Sequence, residues 1–171
     1  MEFSELIKQR YSVRAYKSVP VEKEKLDLVL EAARLALTAA NRQPFQLVVI
    51  HTKGREIELR RIYHREWILQ APVIIVAVGL PTQGWVRGAD GKNYTDVDIA
   101  IMFDHLILEA ANQGLGTCWI AAFNPEAVRQ TLDLPENVEP IAMTPLGYPA
   151  DLAPSKKVRK PISELVRNER W

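Results

Sequence analysis

Cysteine is almost absent from this chain of 171 residues: Cys118 stands alone, so no intrachain disulfide can form. This excludes the disulfide-stapled secreted domains and favours a reducing compartment. The first residues are acidic where a signal peptide has a basic region. No uninterrupted apolar run approaches the roughly 20 residues that a membrane span needs. From these absences we expect a cytoplasmic protein without a membrane partner.

An excess of charge of either sign is also missing. The chain has 22 basic and 21 acidic residues, for a net charge of +1. A protein that binds nucleic acid through a broad basic surface carries a clear positive excess, so we expect no nucleic-acid partner. The three histidines are not at metal-ligand spacings, and Asp96 and Asp98 occupy positions where helix starts favour acidic residues. We therefore predict no metal site.

The remaining composition is that of an ordinary globular protein, with 47% hydrophobic and 25% charged residues. No repeat or linker divides the chain, and we predict one domain over residues 1–171. Hydrophobic periodicity and Gly/Pro punctuation predict helices over residues 3–10, 21–39, 54 to about 67, 96–113 and 162–170, and another that begins at Asn124. They predict strands over residues 45–50, 72–78, 117–123 and 138–146, with a loop at 79–94 and a basic tail at 149–161.

The helix predicted over residues 96–113 is apolar around most of its circumference, because Ile101, Ile107 and Leu108 widen the stripe formed by its other apolar residues. Such a helix needs cover on more than one side. In so small a domain, a second subunit is a plausible cover.

Residues suited to binding a phosphorylated heteroaromatic ligand fall in three short stretches. Arg and Lys attract a phosphate, Ser adds a hydroxyl, and Asn and Gln offer donors and acceptors to a ring edge. Together they suggest a flavin mononucleotide. The three stretches contain Arg10, Ser12 and Arg14; Asn41 and Gln43; and Lys157 and Arg159.

Other catalytic motifs are weak. Gly114-Leu115-Gly116 resembles half of a dinucleotide fingerprint, but it follows a helix and is better interpreted as a helix stop. Cys118 lies in an apolar stretch without an adjacent base, which favours a buried packing residue over a nucleophile. Ser12 has no obvious His partner, so a hydrolytic triad is not indicated.

Four motifs in order carry a resemblance that spans essentially the whole chain. Arg-x-Ser-x-Arg at 10–14, Ala-Asn-x-Gln-Pro-Phe at 40–45, Gly-Leu-Gly-Thr-Cys-Trp-Ile at 114–120 and Lys-x-Arg at 157–159 resemble the nitroreductase family of FMN-dependent oxidoreductases. The resemblance implies an α+β fold with helices flanking a central, mainly antiparallel sheet. It also implies an intertwined homodimer with two FMN sites at the subunit interface.

The resemblance further implies roles for individual residues. Arg10, Ser12, Lys157 and Arg159 are expected at the FMN phosphate, Tyr11 near the ribityl chain and Arg14 at the N1/O2 ring edge. Thr38, Ala39, Asn41 and Gln43 are expected at the ring and ribityl groups, with Asn41 and its neighbours contributed by the opposite subunit. Backbone N–H groups at Ala121 and Ala122 are expected at flavin N5/O4, with Trp119 and Ile120 lining the pocket.

The activity implied is two-electron transfer from NAD(P)H, by a ping-pong mechanism, to nitroaromatic, quinone or similar electron-poor acceptors. The loop over residues 79–94, with Trp85, is the candidate substrate cover. Two alternatives stay open: a flavin-fragmenting or dehalogenating relative of the same fold, and a non-catalytic flavin-binding or redox-sensing module.

Overall fold

Four antiparallel strands form one sheet in the order β1-β2-β4-β3. The computed structural model describes residues 1–150 and 157–171. The strands are β1 (Phe45–His51), β2 (Val73–Gly79), β3 (Gly116–Thr117) and β4 (Glu139–Gly147). Every residue of β2 is buried, as its β-branched run predicts for a strand covered on both faces.

Six α-helices are described: α1 (Phe3–Gln9), α2 (Lys23–Arg34), α3 (Glu56–Ile62), α4 (Thr95–Asn112), α5 (Pro125–Thr131) and α6 (Ile162–Leu165). Alternate residues of β2 face opposite sides of the sheet. Ile75 and Ala77 pack with α2 and α4, whereas Ile74 and Val76 pack with α3 and α5. Helices on both faces of an antiparallel sheet confirm the predicted α+β class. No helix in the described ranges is long and apolar enough to span a bilayer.

The helix predicted over residues 21–39 is too long, because α2 ends at Arg34. Residues Ala39–Asn41 form a separate 3-10 turn, in which Ala40 and Asn41 have positive φ angles of 51° and 53°. Gln43 is also left-handed, at 51°. Left-handed backbone is unfavourable for L-residues such as Ala and Gln, and hydrophobic periodicity, which reports only buried faces, does not reveal it.

Two further predicted elements are wrong in extent. The helix predicted over 54 to about 67 is α3 followed by a 3-10 turn (Glu66–Gln70), and Tyr63 between them is extended. The Tyr63 ring lies edge-on to Trp67, with centroids 5.9 Å apart, which favours the break. The strand predicted over 117–123 shrinks to Gly116–Thr117 and one bridge at Ile120. Its ladder stops because the Cys118 N–H donates to the Thr144 hydroxyl instead of a strand carbonyl.

The C-terminal predictions are corrected in part. The terminal helix is α6 alone, and Val166 after it is extended. Residues 158–171 are all exposed, so no packing stabilises a longer helix. In the predicted tail over 149–161, Pro149 bridges to Tyr16, while residues 151–156 lie outside the described residues.

Glycine at position 40 is expected to stabilise the fold. Ala40→Gly should raise the free energy of unfolding by about 0.5–1 kcal/mol, because relief of roughly 1–2 kcal/mol of left-handed strain exceeds the added chain entropy. Ala32→Gly, inside α2, is the matched control and should lower it by about 1 kcal/mol. Urea unfolding of both variants measures these changes, and a loss of stability in Ala40→Gly would contradict the conformation described.

Candidate functional site

The Arg-x-Ser-x-Arg segment runs along the outer edge of β3. Ser12 forms a parallel bridge with Thr117, and the Val13 N–H donates to the Thr117 carbonyl at 2.9 Å. Val13 is buried against Gly116, where an added Cβ would lie 2.7 Å from the Val13 side chain. Since neighbouring side chains in extended backbone alternate in direction, burial of Val13 leaves Ser12 and Arg14 exposed beside the sheet.

Four cationic side chains from both ends of the chain converge here near Ser12. We call Arg10, Ser12, Arg14, Lys157 and Arg159 the cation cluster. Partial burial lowers the pKa of the Lys157 ammonium, and the charges of Arg10 and Arg159 lower it further. The Lys157 ammonium also donates to the carbonyl of Ile7, which ties the C-terminal segment to α1. The structure therefore brings the two ends of the chain together, since Lys157 and Ile7 are 150 positions apart in sequence.

Cys118 lies next to the cation cluster, beside Ser12 and Arg14. Burial raises the pKa of its thiol, while Arg14, a hydrogen bond with Ser12, and Arg10 oppose that shift. The thiol is a free but buried group, as the sequence predicted, and not an accessible nucleophile. Its position shows that Ser12 and Arg14 share one small region of the molecule.

Like charges this close are unfavourable unless an anion balances them. In residues 1–150 and 157–171, no ion pair within 4.0 Å connects a carboxylate to Arg10, Arg14, Lys157 or Arg159. Arg159 donates only to the adjacent Val158 carbonyl in that part of the chain. The donor set of guanidinium, ammonium and hydroxyl groups fits a phosphate well.

A cavity of about 480 Å³ opens on the α1 side of the cluster, beside Arg10, Tyr11 and Gly116. Its walls are mainly apolar, and Arg14, Lys157 and Arg159 do not line it. The convergence of charges is thus a better marker of an anion site than the cavity. Tyr11 packs against the small core cluster of Val13 and Tyr16.

Asn41 and Gln43 lie in a tight exposed turn, residues 38–43, which we call the amide turn. The Gln43 side-chain amide donates to the Asn41 side-chain oxygen at 2.9 Å. The Gln43 N–H donates to the Thr38 hydroxyl at 3.1 Å, and the Asn41 N–H to the Thr38 carbonyl at 3.0 Å. Thr38 therefore closes the turn, and the two amides are presented as a pair. Their remaining donors and acceptors suit the polar edge of a ring.

The cation cluster and the amide turn lie at diagonal corners of the sheet. The amide turn leads into Phe45 of β1, which is in register with Gly79 of β2 and through it with Glu139 of β4. Ser12 adjoins Thr117 of β3, which pairs with Leu146 near the opposite end of β4. Four strand spacings separate them across the sheet, roughly 19 Å, and seven residue steps separate them along it, roughly 23 Å. One chain does not bring the two groups together.

The segment 119–122 supplies an open backbone beside the sheet. Trp119 is 40% exposed, and its ring meets Phe103 edge-on with centroids 4.8 Å apart. Ile120 is buried, and its N–H donates to Met143. The N–H groups of Ala121 and Ala122 make no hydrogen bond to any residue that the structure describes. Two such free donors suit the N5/O4 edge predicted for them, whereas the Ile120 side chain points into the core.

The segment after β2 is an ordered hairpin over residues 80–94. A bridge joins Val86 to Asn93, and the Arg87 guanidinium pairs with Asp90 and donates to the Tyr94 hydroxyl. Trp85 packs edge-on against Tyr94, with centroids 5.0 Å apart. The Leu80 N–H donates to the Pro44 carbonyl at 2.9 Å, so the hairpin begins beside the amide turn.

One residue beside the amide turn was not predicted from the sequence. Asp98 resembles an ordinary acidic residue of a helix start, yet it is 1% exposed and accepts the Ala39 N–H at 2.8 Å. The available signal is its position one turn before Met102, on the apolar face of α4. A carboxylate there is costly to bury and indicates a specific partner.

Comparison with known proteins identifies the family. The model of the nitroreductase family matches residues 7–69 and 59–148, which is most of the chain. The chain belongs to the nitroreductase family. A nitroreductase family protein from Clostridium difficile 630 has a similar structure, with 41% identity, full coverage of both chains and a TM-score of 0.92.

Other relatives of this nitroreductase family chain carry more specific names. A putative NADH dehydrogenase/NAD(P)H nitroreductase of Methanothermobacter thermautotrophicus is 26% identical, over 100% of this chain and 88% of its own. An FMN reductase [NAD(P)H] of Bacillus subtilis is 28% identical, over 94% of this chain and 70% of its own. The resemblance inferred from four short motifs is thus confirmed.

Proposed function

We propose that this chain is an FMN-dependent NAD(P)H oxidoreductase that acts as a homodimer, with each FMN held between two chains. At the level of the family, the predicted enzyme class and cofactors are confirmed, since relatives carry the names NAD(P)H nitroreductase and FMN reductase. The cation cluster carries the proposal for this chain. Lys157 lies close enough to Arg10 and Arg159 to feel their positive charges, and in the described ranges no carboxylate forms an ion pair with these three side chains. We further propose that residues 1–171 act as a single FMN-binding domain.

Arg10, Ser12, Lys157 and Arg159 would hold the FMN phosphate. The lowered pKa of Lys157 agrees with this role. Partial burial and the charges of Arg10 and Arg159 disfavour its ammonium form, and a bound dianion would offset both effects. The Ser12 hydroxyl and the Arg guanidiniums would add directed hydrogen bonds, and Tyr11 would pack near the ribityl chain.

Arg14 would serve the redox-active ring edge. It lies on the same exposed side as Ser12, and its charge acts on the neighbouring Cys118 and Tyr16. Two-electron reduction leaves negative charge on the N1/O2 edge, and a fixed cation there stabilises it. The free N–H groups of Ala121 and Ala122 would orient the N5/O4 edge, with Trp119 as the adjoining wall.

The amide turn would come from the second subunit. This explains why Asn41 and Gln43 lie a sheet diagonal away from the cation cluster of their own chain. Asn41 and Gln43 would then meet ring and ribityl groups bound mainly by the partner, with Thr38 and Ala39 shaping the turn.

Unpartnered apolar side chains support the homodimer. The arm over residues 158–171 exposes Val158, Ile162, Leu165 and Trp171, each more than half accessible. A run of exposed apolar residues on a segment without packing of its own is typical of an interaction surface. On α4, Ile107 is buried in this chain, whereas Ile101 and Leu108 are only partly covered.

When bound, FMN supplies the two-electron chemistry, taking electrons from NAD(P)H and passing them to an electron-poor acceptor such as a nitroaromatic or a quinone. The chain needs no nucleophile for this, which agrees with the buried, protonated Cys118 thiol. Reductant and acceptor would use one open face in turn, so ping-pong kinetics are expected. The ordered hairpin over 80–94, with Trp85, would form a wall of that face.

An anaerobic absorbance titration of the purified protein tests the proposal. Bound FMN should be bleached by NADH or NADPH and reoxidised by a nitroaromatic or quinone. Protein that fails to bind FMN would overturn it. A reduced flavin that is inert to every acceptor would identify a sensing module instead. Loss of FMN when oxygen is then admitted to the reduced protein would identify a flavin-fragmenting enzyme.

The arginine at position 159 should anchor FMN. Arg159→Ala is expected to weaken FMN affinity about 10- to 150-fold, the equivalent of roughly 1.5–3 kcal/mol for a charge-assisted hydrogen bond. Arg167→Ala is the matched control, because Arg167 is an exposed arginine of the same arm that donates to Ser163. Fluorescence titration measures both, and equal affinities for the two variants would reject the phosphate assignment.

Arg14 should instead tune the flavin potential. Arg14→Ala is expected to lower the two-electron midpoint potential, because reduced FMN loses a stabilising positive charge, whereas Arg14→Lys should restore much of it. Spectroelectrochemical titration of the FMN-loaded variants measures the change. An unaltered potential in Arg14→Ala would remove Arg14 from the N1/O2 edge.

A further inference from the structure

Asp98 is a buried carboxylate that the proposed chemistry does not use. It lies in the first turns of α4, next to Ile99 of the core, and is 1% exposed. Its Oδ1 accepts the Ala39 N–H at 2.8 Å, and its Oδ2 has no partner in the described ranges. Burying a carboxylate for one backbone hydrogen bond is costly, so the bond it makes should matter for placement.

That bond fixes one end of the amide turn to the core. Ala39 is the first residue of the 3-10 turn and directly follows Thr38. The Asn41 N–H donates to the Thr38 carbonyl, and the Gln43 N–H donates to the Thr38 hydroxyl. The other end is held where the Pro44 carbonyl accepts the Leu80 N–H. Between these anchors, three left-handed residues set where the two amides point. Such backbone persists only when surrounding contacts impose it.

The same end of α4 also holds the hairpin over 80–94. The Asn93 side chain accepts the Thr95 N–H at 2.9 Å and donates to the Pro81 carbonyl at 2.9 Å. At Gly84 an added Cβ would lie 2.2 Å from the Thr95 hydroxyl, so the hairpin is pressed against the start of α4. The start of α4 therefore holds both the amide turn, through Asp98, and the hairpin, through Thr95.

We propose that Asp98 is a positioning residue that holds the amide turn in the shape that presents Asn41 and Gln43 to FMN bound by the partner subunit. This role rests on the proposed function. It acts through a hydrogen-bond acceptor rather than through negative charge, because Oδ2 has no hydrogen-bond partner and no cation in the described ranges forms an ion pair with Asp98. The amide oxygen of an asparagine can accept the same N–H.

Two substitutions at position 98 and one elsewhere test the proposal. Asp98→Ala removes the acceptor, and Asp98→Asn keeps it. Val128→Ala, on the fully buried face of α5, is the control for general destabilisation. Each variant is measured by hydrogen exchange of the FMN-free protein over residues 38–43 and by FMN titration.

Asp98→Ala should speed exchange in the amide turn and weaken FMN affinity about 5- to 150-fold, the range for leaving a backbone N–H without its acceptor. Asp98→Asn should remain within about threefold of the wild type. Val128→Ala should lower the unfolding midpoint while leaving the exchange of the turn and FMN affinity nearly unchanged.

Three results would overturn the role of Asp98. They are unchanged exchange in Asp98→Ala, FMN affinity in Asp98→Ala equal to that of Val128→Ala, and loss in Asp98→Asn as large as in Asp98→Ala. If the wild type binds no FMN, the proposed function fails, yet the exchange measurement still decides whether Asp98 holds the turn.

A second variant covers the case in which Asp98→Ala does not fold. Ala39→Pro deletes the donor N–H from the other side of the bond, and Thr38 before it already has the extended backbone that precedes proline (φ −136°, ψ 156°). Faster exchange at Asn41 and Gln43 with weaker FMN binding supports the role. Unchanged exchange and affinity in Ala39→Pro would reject it.

Discussion

Burial of β2 along its whole length fixes the register of the sheet, and the positions of the binding groups follow from that register. Ile75 and Ala77 face one helical layer while Ile74 and Val76 face the other. A slip by one residue would exchange side chains of different size between two close-packed layers. With β2 fixed, the pairing to β1 sets where the amide turn leaves the sheet. The pairing through β4 to β3 sets where the cation cluster begins.

Two unfavourable features occur at the candidate site. At one corner, partial burial and the nearby charges of Arg10 and Arg159 both disfavour the charged form of Lys157 and lower its pKa. At the other, Ala40 and Asn41 adopt left-handed backbone. A fold retains such costs where binding offsets them. In the proposed function, a phosphate would offset the first, and a ring edge bound by both amides would use the second.

The four motifs were enough to predict the family, the α+β class and the identity of the residues that gather in the cation cluster. Their chemistry is visible in sequence because charge and hydrogen-bonding capacity belong to the residue itself. Buried β2 and the Asn124 cap of α5, whose side chain accepts the Ala127 N–H at 3.1 Å, were equally visible. Each depends on local pattern alone.

What the sequence did not predict depends on contacts between distant residues. The turn that stands where a longer α2 was predicted is held by Asp98, which accepts the Ala39 N–H from 59 positions away. The short β3 follows from the Thr144 hydroxyl, which takes the Cys118 N–H 26 positions away. Neither periodicity nor propensity carries such information, because both describe a residue's neighbours in the chain and not its neighbours in space.

In the proposed function, each FMN site takes its phosphate end from one chain and its amide turn from another. Complementation in mixed dimers tests this most directly. One subunit would carry Arg10→Ala and Arg159→Ala, the other Asn41→Ala and Gln43→Ala, with different tags so that the mixed dimer is purified. Each variant alone should bind FMN weakly, and the mixed dimer should recover one site per dimer at near wild-type affinity. Mixed dimers that recover no site would contradict a site shared between chains.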